Sequence, residues 1–148
     1  MLYFEDLKLG QKFDTPEHTV TAEEITAFGR QFDPQAFHTD AEAAKTTIFG
    51  QLVASGWHTA ALTMGLMVRG SMQFSGGVIG QGVDNLRWPR PVLPGDRLRA
   101  VIEITEINPL PSRPGRGKAR LHCRTFNQDG KIVQEMTAGL VITRRPSA

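Results

Sequence analysis

The apolar positions of this chain follow helical spacing in its first half and strand alternation in its second. Thr21-Ala22-Glu23-Glu24 reads as a capping box, a hydroxyl and a carboxylate three residues apart that satisfy two orphan N–H groups at a helix start. It opens a short helix with Ile25, Phe28 and Phe32 on one face. Asp40 is placed to cap a second short helix over residues 41–45. Ser55 is placed to cap a third over residues 56–69, stopped before Gly70. That third helix carries Trp57, Ala60, Ala61, Leu62, Met64, Leu66, Met67 and Val68 nearly all round its axis. A helix apolar on every side is expected in the middle of a domain. It is predicted to be the centre of the fold.

Across residues 97–105 the even positions Leu98, Ala100, Ile102 and Ile104 are apolar, while Arg99, Glu103 and Thr105 face out, which is strand alternation. Residues 119–126 read as another strand, joined through Asn127-Gln128-Asp129-Gly130 to a third over residues 132–143. The Asp-Gly pair supports a hairpin there. Residues 82–88 form a further strand, stopped by Pro89 and Pro91, and residues 108–118 read as a mobile loop with three prolines and two glycines. The expected architecture is α+β: one buried helix early, then long antiparallel strands that wrap it. Strands that cover one face of a helix leave the other half exposed, so a dimer through sheet edges or helix faces is expected.

At 148 residues the chain is read as one domain, residues 1–148, large enough for a core without disulfides. Hydrophobic residues make up 40% and charged ones 22%, as in soluble globular proteins. A formal charge of +2 is too small to argue for nucleic acid. The single cysteine, Cys123, has no disulfide partner, and no Cys/His spacing resembles a zinc site. The N-terminus lacks the basic and apolar regions of a signal peptide, and no apolar run is long enough to span a bilayer. The expectation is a cytoplasmic protein with no membrane, nucleic-acid or metal partner.

The chemistry concentrates in Asp33 and His38, five residues apart with Pro34 to supply the bend. A carboxylate and an imidazole can share the handling of one water molecule. Soon afterwards the start of the third helix offers backbone N–H groups to an oxyanion. Together these are the parts needed to add or remove water next to a carbonyl. Blander readings stand beside them: Asp33 as a turn former before Pro34, His38 as a buried structural histidine, Ser55 as a helix cap. His58 reads as packing or pocket lining, and His18 and His122 as structural. His38 with Asp40 is too thin a set for a metal.

Four segments carry a resemblance: Tyr3 to Gln11, Phe32 to Asp40, Ala54 to Thr59 and Arg87 to Asp96. In this order and spacing they resemble the MaoC-like dehydratases, the hot-dog-fold (R)-specific enoyl-CoA hydratases. The resemblance implies a curved antiparallel sheet round a long central helix, a homodimer, and an acyl-CoA thioester substrate. It places the catalytic pair at Asp33 and His38 and the oxyanion donor at the Gly56 N–H. Ser55, Trp57 and Phe37 then fall where substrate is held. Asp84 and Arg87 lie on a strand the resemblance sets beside the pocket, where they would orient the dyad or the pantetheine. No cofactor is implied beyond the coenzyme A of the substrate.

The chain departs from the family pattern at Gln35 and Ala36, where Asn-Pro is common, and at Ser55, where many hydratases carry His. The family's additional serine falls near Met64, which takes over no role. Gln35 still offers an amide for orientation. The basic cluster Arg113, Arg116, Lys118 and Arg120 reads as a solvated edge, with attraction for coenzyme A phosphates as the sharper alternative. Two competing functions stay open. A hot-dog thioesterase needs a carboxylate on the central helix, and residues 56–70 hold none. A non-catalytic acyl-CoA-binding subunit keeps the fold without turnover.

Overall fold

The computed structural model describes residues 1–148. Its largest element is an antiparallel sheet built from β1 (Lys12–Asp14), β2 (His18–Thr19), β3 (Val78–Arg87), β4 (Arg97–Pro109), β5 (Arg116–Phe126) and β6 (Ile132–Thr143). The strand order is β1-β4-β5-β6-β3, with β2 also paired to β4. The alternation read from the sequence places Leu98, Ala100, Ile102 and Ile104 on the inner face of β4, each fully buried. Opposite them, Leu121 and Cys123 of β5 pair with Ile104 and Ile102. Side chains directly across an antiparallel pair touch, so one apolar face accumulates along the sheet.

The hairpin between β5 and β6 turns at Asn127–Lys131, where Gly130 adopts a φ of +69° that a side chain would resist. Asn127 secures the turn by accepting from the Asp129 and Lys131 N–H groups. Two boundaries differ from the sequence reading. Strand pairing continues through Pro109 and resumes at Arg116, so the expected 108–118 loop shrinks to residues 110–115. Strand β3 begins at Val78 rather than residue 82, because Val78, Ile79 and Gly80 already pair with Ile142, Val141 and Leu140.

The α-helices lie between β2 and β3 in the chain. Helix α1 (Ala22–Phe32) starts at the expected capping box, with Thr21 Oγ1 accepting from Glu24 N and Glu24 Oε1 accepting from Thr21 N. A one-turn helix α2 (Ala36–Thr39) follows, then α3 (Ala41–Ala44), whose first N–H groups are held by Asp40. Helix α4 (Gly56–Arg69) lies against the sheet. A buried hydrogen bond of 2.8 Å between Thr63 and Thr125 ties it to β5. The sheet wrapped on a central helix is the α+β hot-dog arrangement.

Burial of α4 is one-sided, which corrects the all-round expectation. His58, Thr59, Thr63, Leu66 and Met67 are buried, while Trp57, Met64 and Val68 are 47–61% exposed. The sheet can cover only one face of a helix, so the remaining apolar side chains stay in solvent within one subunit. No helix is long and apolar enough to cross a membrane.

Candidate active site

Asp33 ends α1, where its N–H still donates to Gly29 but its own backbone has left the helix. Pro34 prevents continuation, and the chain doubles back through α2. This return sets His38 against the last turn of α1, close enough that a Cβ on Gly29 would stand 2.5 Å from the His38 carbonyl oxygen. Glycine at position 29 therefore permits the approach that brings the pair together. His38 Nε2 lies 3.2 Å from Asp33 Oδ2.

The rest of the pair's surroundings decide its protonation geometry. His38 Nδ1 is 2.7 Å from the Val53 carbonyl, an acceptor, so this nitrogen carries a proton and donates. The Val53 N–H donates in turn to Phe37 O. Nε2 is left as the working nitrogen. Asp33 receives two hydrogen bonds of 2.7 Å, from Gln35 Nε2 to Oδ1 and from Ser55 Oγ to Oδ2. Burial pushes the Asp33 carboxyl upward. The Gln35 and Ser55 donors and the charge of His38 outweigh that and hold it below its ordinary value. Asp33 is an oriented carboxylate.

Ser55 stands at the first position before α4, yet its hydroxyl makes no cap and serves Asp33 instead. That corrects the sequence reading: a residue type suited to capping has been taken by a stronger, charged acceptor. The Gly56 N–H has no acceptor in the chain. It opens the helix, where backbone dipoles sum to partial positive charge.

A cavity of about 410 Å³ is bordered by His38 and Gly56 and lined also by Phe37, Thr59, Trp88 and Arg90. The Trp88 indole lies on Gly56, so a Cβ there would meet ring carbons at 2.6 Å. Trp88 is thus what a side chain at position 56 would displace. Trp88 Nε1 donates to Gln134 Oε1 over 2.9 Å.

Asp33, Phe37, His38, Ser55 and Gly56 thus converge as expected. Trp57 does not. It is 61% exposed and meets Trp88 edge-on, with ring centroids 5.4 Å apart. Asp84 and Arg87 also stand away from the dyad. Asp84 pairs with Arg120 at 2.9 Å, and Arg87 borders a separate polar cavity with His122 and Glu135. A bulge between Asp84 and Arg87, with Asn85 at φ +53°, resets the register of β3 between them.

His18 and His122 pair with Glu24 and Glu135, as structural histidines do. Of the basic cluster, Arg120 holds Asp84, and Arg116 donates to Thr143. His58 is buried and stacked on Phe28, and burial pushes its pKa down. Burial also pushes the Cys123 thiol up to about 12, far from thiolate chemistry. No group of three or more His, Cys, Asp or Glu side chains is placed to hold a metal.

Thr59, which borders the cavity, and Gln134, which accepts from Trp88, were not singled out in the sequence. The available signal was Gln134 itself, a polar residue in step with the inward positions Met136, Ala138, Leu140 and Ile142.

Comparison with known proteins agrees with this fold. The chain is 46% identical to the MaoC-like dehydratase from Rhodospirillum rubrum, covering 99% of this chain and all of that one, with a TM-score of 0.93. It is 29% identical to the R-hydratase PhaJ1 from Pseudomonas aeruginosa over 97% of this chain and 86% of that one, with a TM-score of 0.77. It is also 28% identical to the Bacillus subtilis protein YdeM over 95% of this chain and 98% of YdeM. The family model for the MaoC like domain matches residues 5–121, and with that match the chain belongs to the MaoC-like dehydratase family.

Proposed function

We propose that the protein interconverts a trans-2-enoyl-CoA and the corresponding (R)-3-hydroxyacyl-CoA. The observation that carries the reading is the oriented pair: Asp33 held ionised by Gln35 and Ser55, and His38 with Nδ1–H committed to Val53. Its Nε2 is then free to exchange protons beside a carboxylate. The (R) configuration rests on the relationship to an R-hydratase, and the thioester carrier on the resemblance carried by the four sequence segments.

In hydration, water sits beside both Asp33 Oδ2 and His38 Nε2, which stand 3.2 Å apart. Its oxygen forms the bond to Cβ as Nε2 takes one of its protons. The Cα–Cβ double bond opens and its electron pair moves onto the thioester oxygen. The Gly56 N–H and the positive end of α4 stabilise that charge. Collapse of the enolate takes the proton from Nε2 to Cα, so one water is added and His38 is restored. Asp33 orients the water and steadies the transient imidazolium. General acid–base assistance of this type is worth roughly 10²–10⁴-fold.

The unit that performs this is a homodimer in the same reading. Strand β3 is a long outer strand whose side chains are exposed over nearly its whole length. An open edge of that length is a template for pairing, and the exposed Trp57, Met64 and Val68 of α4 give an adjoining apolar face.

The test combines purified protein with crotonyl-CoA and follows the enoyl-thioester absorbance, free thiol and product configuration. Loss of absorbance with (R)-3-hydroxybutyryl-CoA and no thiol supports the hydratase. Thiol release would move the assignment to a thioesterase, despite the absence of any Asp or Glu in α4.

A further inference from the structure

The segment Trp88-Pro89-Arg90-Pro91 borders the same cavity as His38 and Gly56, and the hydration chemistry uses none of its polar groups. Its backbone has little freedom. Proline fixes φ at positions 89 and 91, and a residue that precedes proline is confined to extended conformations, which restricts Trp88 and Arg90. Hydrogen bonds then pin the segment in place. Trp88 Nε1 donates to Gln134 Oε1, and Arg90 Nη1 donates to Ile132 O over 3.0 Å. The Ala54 N–H donates to Val92 O, which ties the segment to the chain just ahead of α4.

Arg90 is the only residue bordering this cavity that carries a permanent charge. Elsewhere arginines are matched to carboxylates: Arg97 to Glu17, Arg120 to Asp84, Arg144 to Glu5 and Arg145 to Asp6. Arg90 meets none. One of its N–H groups is taken by a neutral carbonyl, and the rest of the guanidinium has no acceptor within the chain. Phe37, Phe49, Pro89, Pro91 and Val92 line the same space. Apolar walls around a single cation focus its field into a cavity. A planar guanidinium with donors to spare matches carboxylate and phosphate oxygens.

We propose that Arg90 is the anion anchor of the catalytic cavity and holds an oxyanion of the thioester substrate, either a carboxylate on the acyl group or a phosphate of its coenzyme A. The inference rests on the hydratase reading for its substrate class. A guanidinium treats both anions alike, so the choice of ligands has to separate them. The tether to Ile132 O places the side chain before the ligand arrives, and less conformational freedom is lost on binding.

The experiment measures equilibrium binding of saturated thioesters, which hydration cannot consume. Glutaryl-CoA carries a second carboxylate, pentanoyl-CoA matches its chain length without one, and pentanoyl-pantetheine lacks every phosphate. The proteins are the wild type, Arg90→Gln, Arg90→Met, Arg90→Lys and, as a charge control at the far end of α4, Arg69→Gln. Arg90→Gln and Arg90→Met should weaken binding of a ligand that bears the recognised anion by roughly 3- to 30-fold, between the worth of an exposed ion pair and that of a charge-assisted hydrogen bond. Arg90→Lys should keep part of that affinity. A loss confined to glutaryl-CoA assigns the acyl carboxylate. Equal losses for both coenzyme A esters, with none for pentanoyl-pantetheine, assign the phosphate. Unchanged affinities, or equal losses for every ester, overturn the proposal. So does a loss of the same size in Arg69→Gln, because the overall charge of the protein would then be doing the binding. Absence of crotonyl-CoA turnover beside binding that depends on Arg90 would count against the hydratase reading alone.

Discussion

Ser55 and Asp33, 22 residues apart, share a hydrogen bond of 2.7 Å that joins the start of α4 to the end of α1. One contact therefore links the helix whose Gly56 N–H is proposed as the oxyanion donor to the helix that carries the carboxylate. Its donor is neutral and its acceptor charged, which makes it one of the stronger kinds of protein hydrogen bond.

Ser55→Ala removes that donor and leaves only the Gln35 amide on Asp33. The Asp33 carboxyl, held below its ordinary value of 3.8, should then rise. A depressed carboxyl contributes stability that is present above its unfolded value and lost as pH falls through its folded one. In the variant the contribution is smaller and its loss is complete at a higher pH. The acid limb of kcat/KM should move the same way, and stability at neutral pH should drop by about 1.5–3 kcal/mol. A pH–rate profile and urea melts at several pH values check this. An acid limb identical to the wild type's contradicts it.

Gly29→Ala should damage catalysis without touching a chemical group. The added Cβ would stand 2.5 Å from the His38 carbonyl oxygen, which is backbone. Either α2 moves or α1 bends, and both separate His38 from Asp33. A stability loss of about 1–3 kcal/mol is expected from such overpacking, with kcat falling more than KM rises. Steady-state kinetics beside a thermal melt would show it. Normal kcat in a folded variant means the close approach does not set the pair.

Much of this arrangement was legible from residue order, and the failures have physical causes. Alternation over Leu98, Ala100, Ile102 and Ile104 survives into the structure because a strand with one buried face keeps a strict period of two. Asp33 and His38 were recognisable because Pro34 announces a bend between them. Helix α2 was not, since four residues are too few to show a helical period. Ser55 belongs to the preferred capping residues, so its type could not reveal that a carboxylate from α1 would claim it. Asp84 and Arg87 have other partners within the chain, and the bulge between them, which changes which side chain faces where, has no pattern in β3 that marks it. Exposure of Trp57, Met64 and Val68 depends on how much of α4 a single sheet can cover.

Gly56→Ala places a methyl against the Trp88 indole at 2.6 Å. The ring cannot yield freely while Gln134 holds its nitrogen. The variant should lose thermal stability and most activity. Adding Trp88→Ala should restore part of the stability, a non-additive pair as expected for groups in contact. Strictly additive melting losses would place the strain elsewhere.

Assembly has its own signature. Light scattering on the wild type should return twice the chain mass of 16.3 kDa. Val83→Asp with Met64→Glu puts charges on the open strand and on the adjoining helix face, and should shift the protein toward the single-chain mass. A wild type that elutes at one chain mass at every concentration removes the dimer.

The most direct test of the central claim compares crotonyl-CoA hydration by wild type, Asp33→Asn and His38→Ala, with butyryl-CoA binding measured on each. The account predicts kcat losses of roughly 10²–10⁴-fold in both variants, with butyryl-CoA binding retained. Turnover within a few-fold of wild type in either variant would contradict it, because the chemistry would then lie outside the Asp33–His38 pair.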